Sequence, residues 1–179
     1  MYQRKVLICN IILAFTAMGN VLENSDLFFA AKALREAVDG VMRKEGGPFG
    51  ALIVRQGEIL TTGNNQVLLT RDPTAHAEIV AIRRACLLLN RHLLQDCIIY
   101  SSCEPCPMCL GAIYWARFKK IIFSATREDA AKAGFDDSYI YHQIDLTMDQ
   151  RGIETVHLPL TENQLPFEYW SKWGDKNLY

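Results

Sequence analysis

His76-Ala77-Glu78 and, further along, Pro105-Cys106-Pro107-Met108-Cys109 are the two stretches on which the reading of this chain turns. One imidazole and two thiols form a donor set suited to zinc, and they fill three corners of its tetrahedron. The fourth corner decides the chemistry. Closed by a protein ligand, such a site is structural; open, it is catalytic. Cys103 is the one nearby candidate for closure, and it is expected to point into the core from a strand end. Glu78 follows the histidine by two residues, within reach of a proton on a water at the open corner. Alone, a glutamate in a first helical turn would be a well-placed surface charge, so its reading depends on its metal-binding neighbours.

Both stretches fall where a loop enters a helix, whose free N–H groups and partial positive charge favour thiolates and anions. A helix is expected over 76–89 and another from the cysteine motif to about Arg117. Cys106 and Cys109, spaced i and i+3, face the same way on one turn. Pro105 and Pro107 suit a helix start, where a missing N–H costs little. Working outward, Asn24-Ser25-Asp26 offers caps for an amphipathic helix over 28–43, which Gly46-Gly47-Pro48 ends. Residues 49–55 and 58–62 read as strands around a Gln56-Gly57 hairpin turn, with a polar loop over 63–73. Further strands are expected over 97–101 and 119–124, and the remainder reads as helical and loop-rich. Strands alternating with helices predict an α/β fold, helices packed on a mixed sheet.

The chain has 179 residues, half of them hydrophobic, and a net charge of −1. That length supports one domain with a real core. The charge supplies no global field for a polyanion, which weighs against a nucleic-acid substrate. Of six cysteines, two are claimed by the metal motif and are needed as thiolates, which calls for a reducing compartment. Cys86 and Cys97 lie in apolar surroundings and read as small buried hydrophobes. Residues 1–23 form an apolar leader with Arg4 and Lys5 at its start, either signal-like or an upstream extension before Met18. The extension is the preferred reading and implies a cytoplasmic protein, with export as the minor alternative. The folded domain is expected over 24–179, with a tail over 145–179.

Outside the motif the simpler readings prevail. His92, His142 and His157 read as surface or packing residues. Asn64-Asn65 reads as turn chemistry and Asp136-Asp137 as a helix cap. Phe167, Trp170 and Trp173 are expected to pack a C-terminal helix against the core or a partner.

The H-x-E…P-C-x-x-C pattern is the signature of zinc-dependent nucleobase deaminases. The surrounding segments Asp72-Pro73-Thr74-Ala75-His76-Ala77-Glu78, Gly46-Gly47-Pro48-Phe49-Gly50-Ala51, Gly111-Ala112-Ile113-Tyr114-Trp115-Ala116-Arg117, Phe135-Asp136-Asp137-Ser138 and the terminal Tyr179 resemble the bacterial guanine deaminases of the cytidine-deaminase-like superfamily. The resemblance implies a three-layer α/β/α fold with a central mixed sheet and a helical C-terminal extension. It implies one Zn²⁺ per chain on His76, Cys106 and Cys109, with Glu78 as the catalytic proton shuttle. It places Asn65, Asp137, Tyr179, Phe49, Trp115 and Ala77 at a purine base, and implies a homodimer that exchanges its C-terminal segment. The activity implied is hydrolysis of guanine to xanthine and ammonia, with neither nucleic acid nor membrane as partner. A guanosine deaminase, a tRNA adenosine deaminase and a non-catalytic zinc scaffold stand as alternatives.

Overall fold

The computed structural model describes residues 25–174; the leader and Tyr179 lie outside them. Helix α1 (Asp26–Met42) begins where Ser25 accepts a hydrogen bond from the Phe28 amide at 3.2 Å, a capping arrangement that satisfies one free N–H. Its buried positions, Phe29, Ala33, Ala37 and Gly40, form one helical stripe. Strands β1 (Gly50–Arg55) and β2 (Glu58–Asn64) pair antiparallel. The turn between them has positive φ at both Gln56 (54°) and Gly57 (83°), which matches the right-handed twist of a two-residue hairpin.

β1 also pairs antiparallel with β3 (Cys97–Cys103), which pairs parallel with β4 (Lys120–Ala125), so the sheet order is β2-β1-β3-β4. The parallel pair is joined through helix α4 (Pro107–Trp115). Because side chains alternate across a strand, β1 feeds two cores at once. Leu52 and Val54 pack with Phe29 and Ala33 of α1 on one face. Ala51 and Ile53 pack on the other with Ala77, Ala81 and Ala85 of helix α3 (Ala77–Leu89) and Ile113 of α4. This is the expected three-layer α/β/α architecture. Small alanines along α3 let it sit close to the sheet, which places its N-terminus at the C-terminal end of β3. A left-handed Asn90 ends α3 (φ 49°), as asparagine tolerates.

Four details differ from the sequence expectation. β2 runs on to Asn64, and a short helix α2 (Val67–Thr70) occupies the region expected as loop. β3 extends to Cys103, carrying Ser101 and Ser102 into the buried sheet. Cys97 is buried as expected, but Cys86 is only partly so. After β4 come α5 (Arg127–Lys132), α6 (Ser138–Asp145), a 3₁₀ turn (Met148–Gln150) and α7 (Leu165–Lys172). α7 does not pack against this chain's own core: Phe167, Tyr169 and Trp173 are exposed, while Trp170 and Trp173 meet edge to face at 5.1 Å. Among the described residues, no helix is long and apolar enough to cross a membrane.

Candidate metal and active site

His76 and Cys106 are the N-cap residues of α3 and α4, and neither uses its side chain to cap its own helix. Both side chains are therefore free to turn toward each other across the helix starts. Cys109, one turn into α4, joins them. The Cys106 and Cys109 sulfurs lie 3.5 and 3.6 Å from His76 Nδ1. A tetrahedral zinc with Zn–S of about 2.3 Å and Zn–N of about 2.0–2.1 Å has S···N edges of about 3.6 Å. The donor set thus matches zinc in both kind and spacing. Among the described residues these three are the cluster able to hold a metal.

The protons of the three groups are coupled. A hydrogen bond from Cys109, helped by His76, lowers Cys106 to about 4. Donation to Cys106, with burial, pushes the Cys109 thiol up. The pairing with Cys106 raises His76. Such sharing of one negative charge is what a compact donor set does before a cation replaces its protons. Cys103 is buried, and its Sγ donates to the Thr126 carbonyl at 3.3 Å. It stands at the β3 end and is not part of the cluster, so the fourth corner has no protein donor among the described residues.

Glu78 is not the solvated charge that its place in a first turn would suggest. It is 5 % exposed, and burial raises its pKa. Ser101 Oγ donates to its Oε1 at 2.9 Å, and Cys109 Sγ lies 3.4 Å from its Oε2. One carboxylate oxygen is therefore fixed by the sheet, and the other is turned toward the metal donors. Sequence reasoning missed Ser101. The available signal was two hydroxyls, Ser101-Ser102, inside an otherwise apolar strand, where each must find a partner; Ser102 Oγ accepts from the Gly50 amide at 2.9 Å.

A cavity of about 680 Å³ opens over these groups, lined in part by His76, Glu78, Cys106, Phe49, Asn65 and Asp137. Asn65 is buried, and its Oδ1 accepts from the Gly47 and Val67 amides at 3.1 and 3.2 Å. Two amide donors on one atom identify that atom as the oxygen, which leaves Nδ2 as the remaining donor of a residue that lines the cavity. Asp136 and Asp137 divide their labour. Asp136 Oδ1 accepts from the Ser138 amide at 2.9 Å, whereas Asp137, at the N-cap position of α6, makes no capping hydrogen bond. Burial, then the charge of Cys106, raises Asp137. Its carboxylate is thus partly stripped of water and held ready for donors. Phe49 and Phe135 meet edge to face at 5.0 Å and form one apolar wall. Arg127, also unmarked by the sequence reading, lines the cavity with its guanidinium 5.1 Å over the Tyr141 ring.

Two residues implied by resemblance stand elsewhere. Ala77 is fully buried in the core between α3 and the sheet, and it does not line the cavity. Trp115 ends α4 and is 61 % exposed, outside the cavity wall, at the opposite end of the helix from its metal-binding start. His92, His142 and His157 are exposed.

Residues 23–125 match the sequence profile of the cytidine and deoxycytidylate deaminase zinc-binding region. The chain is 51 % identical over 151 residues to the guanine deaminase of Bacillus subtilis, covering 84 % of this chain and 97 % of that protein. It is 46 % identical over 98 residues to the tRNA-specific adenosine deaminase of Aquifex aeolicus, covering 55 % of this chain and 64 % of that one. Among solved structures, the X-ray structure of the Bacillus subtilis guanine deaminase superposes with a TM-score of 0.84 at 50 % identity, covering 87 % of this chain and 99 % of the other. The donor geometry and these matches agree, and the chain belongs to the zinc-binding cytidine and deoxycytidylate deaminase family.

Proposed function

We propose that this protein is a zinc-dependent guanine deaminase that converts guanine and water to xanthine and ammonia. The observation that carries the reading is a partly buried Asp137 that makes no capping hydrogen bond and lines the same cavity as His76, Glu78 and Cys106. Guanine presents N1–H and its exocyclic amine side by side, and a carboxylate accepts both. Adenine lacks that donor pair, and binding it would leave the carboxylate unpaired. Similarity supports the same choice. An alignment of 151 residues to a guanine deaminase necessarily takes in Phe135-Asp136-Asp137, whereas the family profile ends at residue 125.

In this reading His76, Cys106 and Cys109 hold the zinc, which supplies a nucleophilic water near neutral pH. Glu78 takes the proton of the water that attacks C2, using the oxygen not fixed by Ser101. It delivers that proton to ring nitrogen N3, then takes the proton of the new C2 hydroxyl and passes it to the amine as the C2–N bond breaks, one group serving in turn as base and acid. Asn65 Nδ2 donates to an acceptor of the purine, and Phe49 with Phe135 confines the ring. Tyr179 is assigned by resemblance to closing over the base. Two thiolate ligands suit the reducing cytoplasm. The test is a panel of guanine, guanosine, adenine, cytosine, cytidine and tRNA with ammonia as readout. Equimolar xanthine and ammonia from guanine are expected, and turnover of another member with guanine inert contradicts the reading.

We also propose a homodimer that exchanges its C-terminal segments. Ile153, Val156, Leu158, Leu160, Phe167 and Tyr169 are all exposed on this chain, as are Tyr114 and Trp115 on α4. A run of apolar side chains of that extent calls for a covering partner. Sedimentation equilibrium is expected to give twice the chain mass, and the mass of one chain when residues 146–179 are deleted. A monomeric full-length protein at micromolar concentration contradicts this.

A further inference from the structure

Asn65 has a neighbour whose side chain serves a different purpose. Asn64 is 3 % exposed and does not line the cavity. Its Nδ2 donates to Glu45 Oε2 at 2.6 Å and to the Asn65 backbone carbonyl at 3.1 Å. Glu45 in turn accepts from Arg43 Nε and Nη2 at 2.8 and 3.2 Å, and its backbone carbonyl accepts from the Leu69 amide at 2.9 Å. The Gly47 amide, two residues on, closes the circuit on Asn65 Oδ1. The glycines leave room for this: a Cβ on Gly46 would stand 2.1 Å from Asn65 Oδ1, and one on Gly40 would stand 2.6 Å from Asn64 Nδ2. The segment after α1 and the end of β2 with the residues after it are thus stitched together through one carboxylate, Glu45, and two carboxamides, Asn64 and Asn65.

We infer that Glu45 and Asn64 are positioning residues that fix Asn65 with its Nδ2 presented to the cavity before the purine arrives. The inference rests on the guanine reading above. Glu78, Ser101 and the metal donors stand on α3, β3 and α4 or at their starts, and the hydrogen bonds of this network do not reach those elements; Glu45 feels α3 only through the charge of Arg84. Loosening it therefore acts on base binding and leaves proton transfer alone. A carboxamide that must be ordered on binding weakens affinity, and a loss confined to ground-state binding raises KM without lowering kcat.

Glu45→Ala is expected to raise KM for guanine about tenfold, with kcat within about twofold of wild type and zinc content unchanged. Glu45→Gln keeps a carbonyl acceptor for Asn64 at the same reach and is expected to restore most of the affinity. Arg43→Ala, an exposed change that only releases Glu45, keeps the test alive should Glu45→Ala fail to fold; it is expected to raise KM about threefold. An active wild type with KM unmoved in the foldable variants, or with kcat falling at constant KM, overturns this inference alone. A wild type inert toward guanine overturns the functional reading as well.

Discussion

Replacing Glu78 by glutamine is expected to lower kcat on guanine by about a thousandfold, within the range for losing a general acid–base group. Glutamine has nearly the same shape, and its Oε1 still accepts from Ser101, which lies 2.9 Å from the native carboxylate oxygen. The side chain should therefore stay in place and lose only its ability to carry a proton. Because the cluster able to hold metal is His76, Cys106 and Cys109, zinc content should remain at about one per chain. KM should move little, since Glu78 is proposed to belong to the reacting centre and recognition to rest on Asn65 and Asp137. The measurement is steady-state ammonia release beside metal analysis of the same sample. Activity within tenfold of wild type would remove Glu78 from the proton pathway. Loss of zinc together with activity would make it a supporting residue of the metal site.

Asp137→Ala should separate recognition from chemistry. A charge-assisted hydrogen bond is worth about 1.5–3 kcal/mol, and a guanine edge offers two donors to this carboxylate. The expected fall in kcat/KM lies between about ten and several hundredfold. Burial already penalises the free carboxylate, so part of the binding gain comes from donors relieving that penalty. For the same reason Asp137→Asn, which keeps an acceptor but loses the charge, should fall between wild type and alanine. Wild-type kinetics in Asp137→Ala would take this residue out of the substrate site and reopen the choice of base.

The order of elements and the location of the metal donors were legible in the sequence because each rests on a short-range rule. The Gln56-Gly57 turn, the Ser25 cap and the i, i+3 cysteines at a helix start are decided within a few residues. What the sequence concealed depends on pairing across the fold. The role of Ser101 follows from β3 running beside α3, a separation of 23 residues from Glu78. By residue chemistry alone Asn64 and Asn65 read alike as turn residues, and only resemblance set Asn65 apart; in the fold Glu45 accepts from Asn64 and the Gly47 amide donates to Asn65. Residue chemistry alone likewise reads Asp136 and Asp137 alike; in the fold Asp136 Oδ1 accepts from the Ser138 amide while Asp137 makes no capping hydrogen bond. Trp115 was drawn toward the pocket by resemblance, yet it stands two turns beyond the metal-binding start of its helix. Its exposure, like that of the tail, is surface that the proposed dimer would cover.

The most direct test of the account is the ratio of specificity constants for guanine and for an adenosine-bearing tRNA anticodon stem-loop, measured on one zinc-loaded preparation by ammonia release. A net charge of −1 gives little electrostatic drive toward a polyanion, and Asp137 is proposed to accept from the guanine edge. The account predicts ready turnover of guanine, with the RNA slower by at least about a hundredfold. Turnover of the RNA with guanine left intact would contradict it.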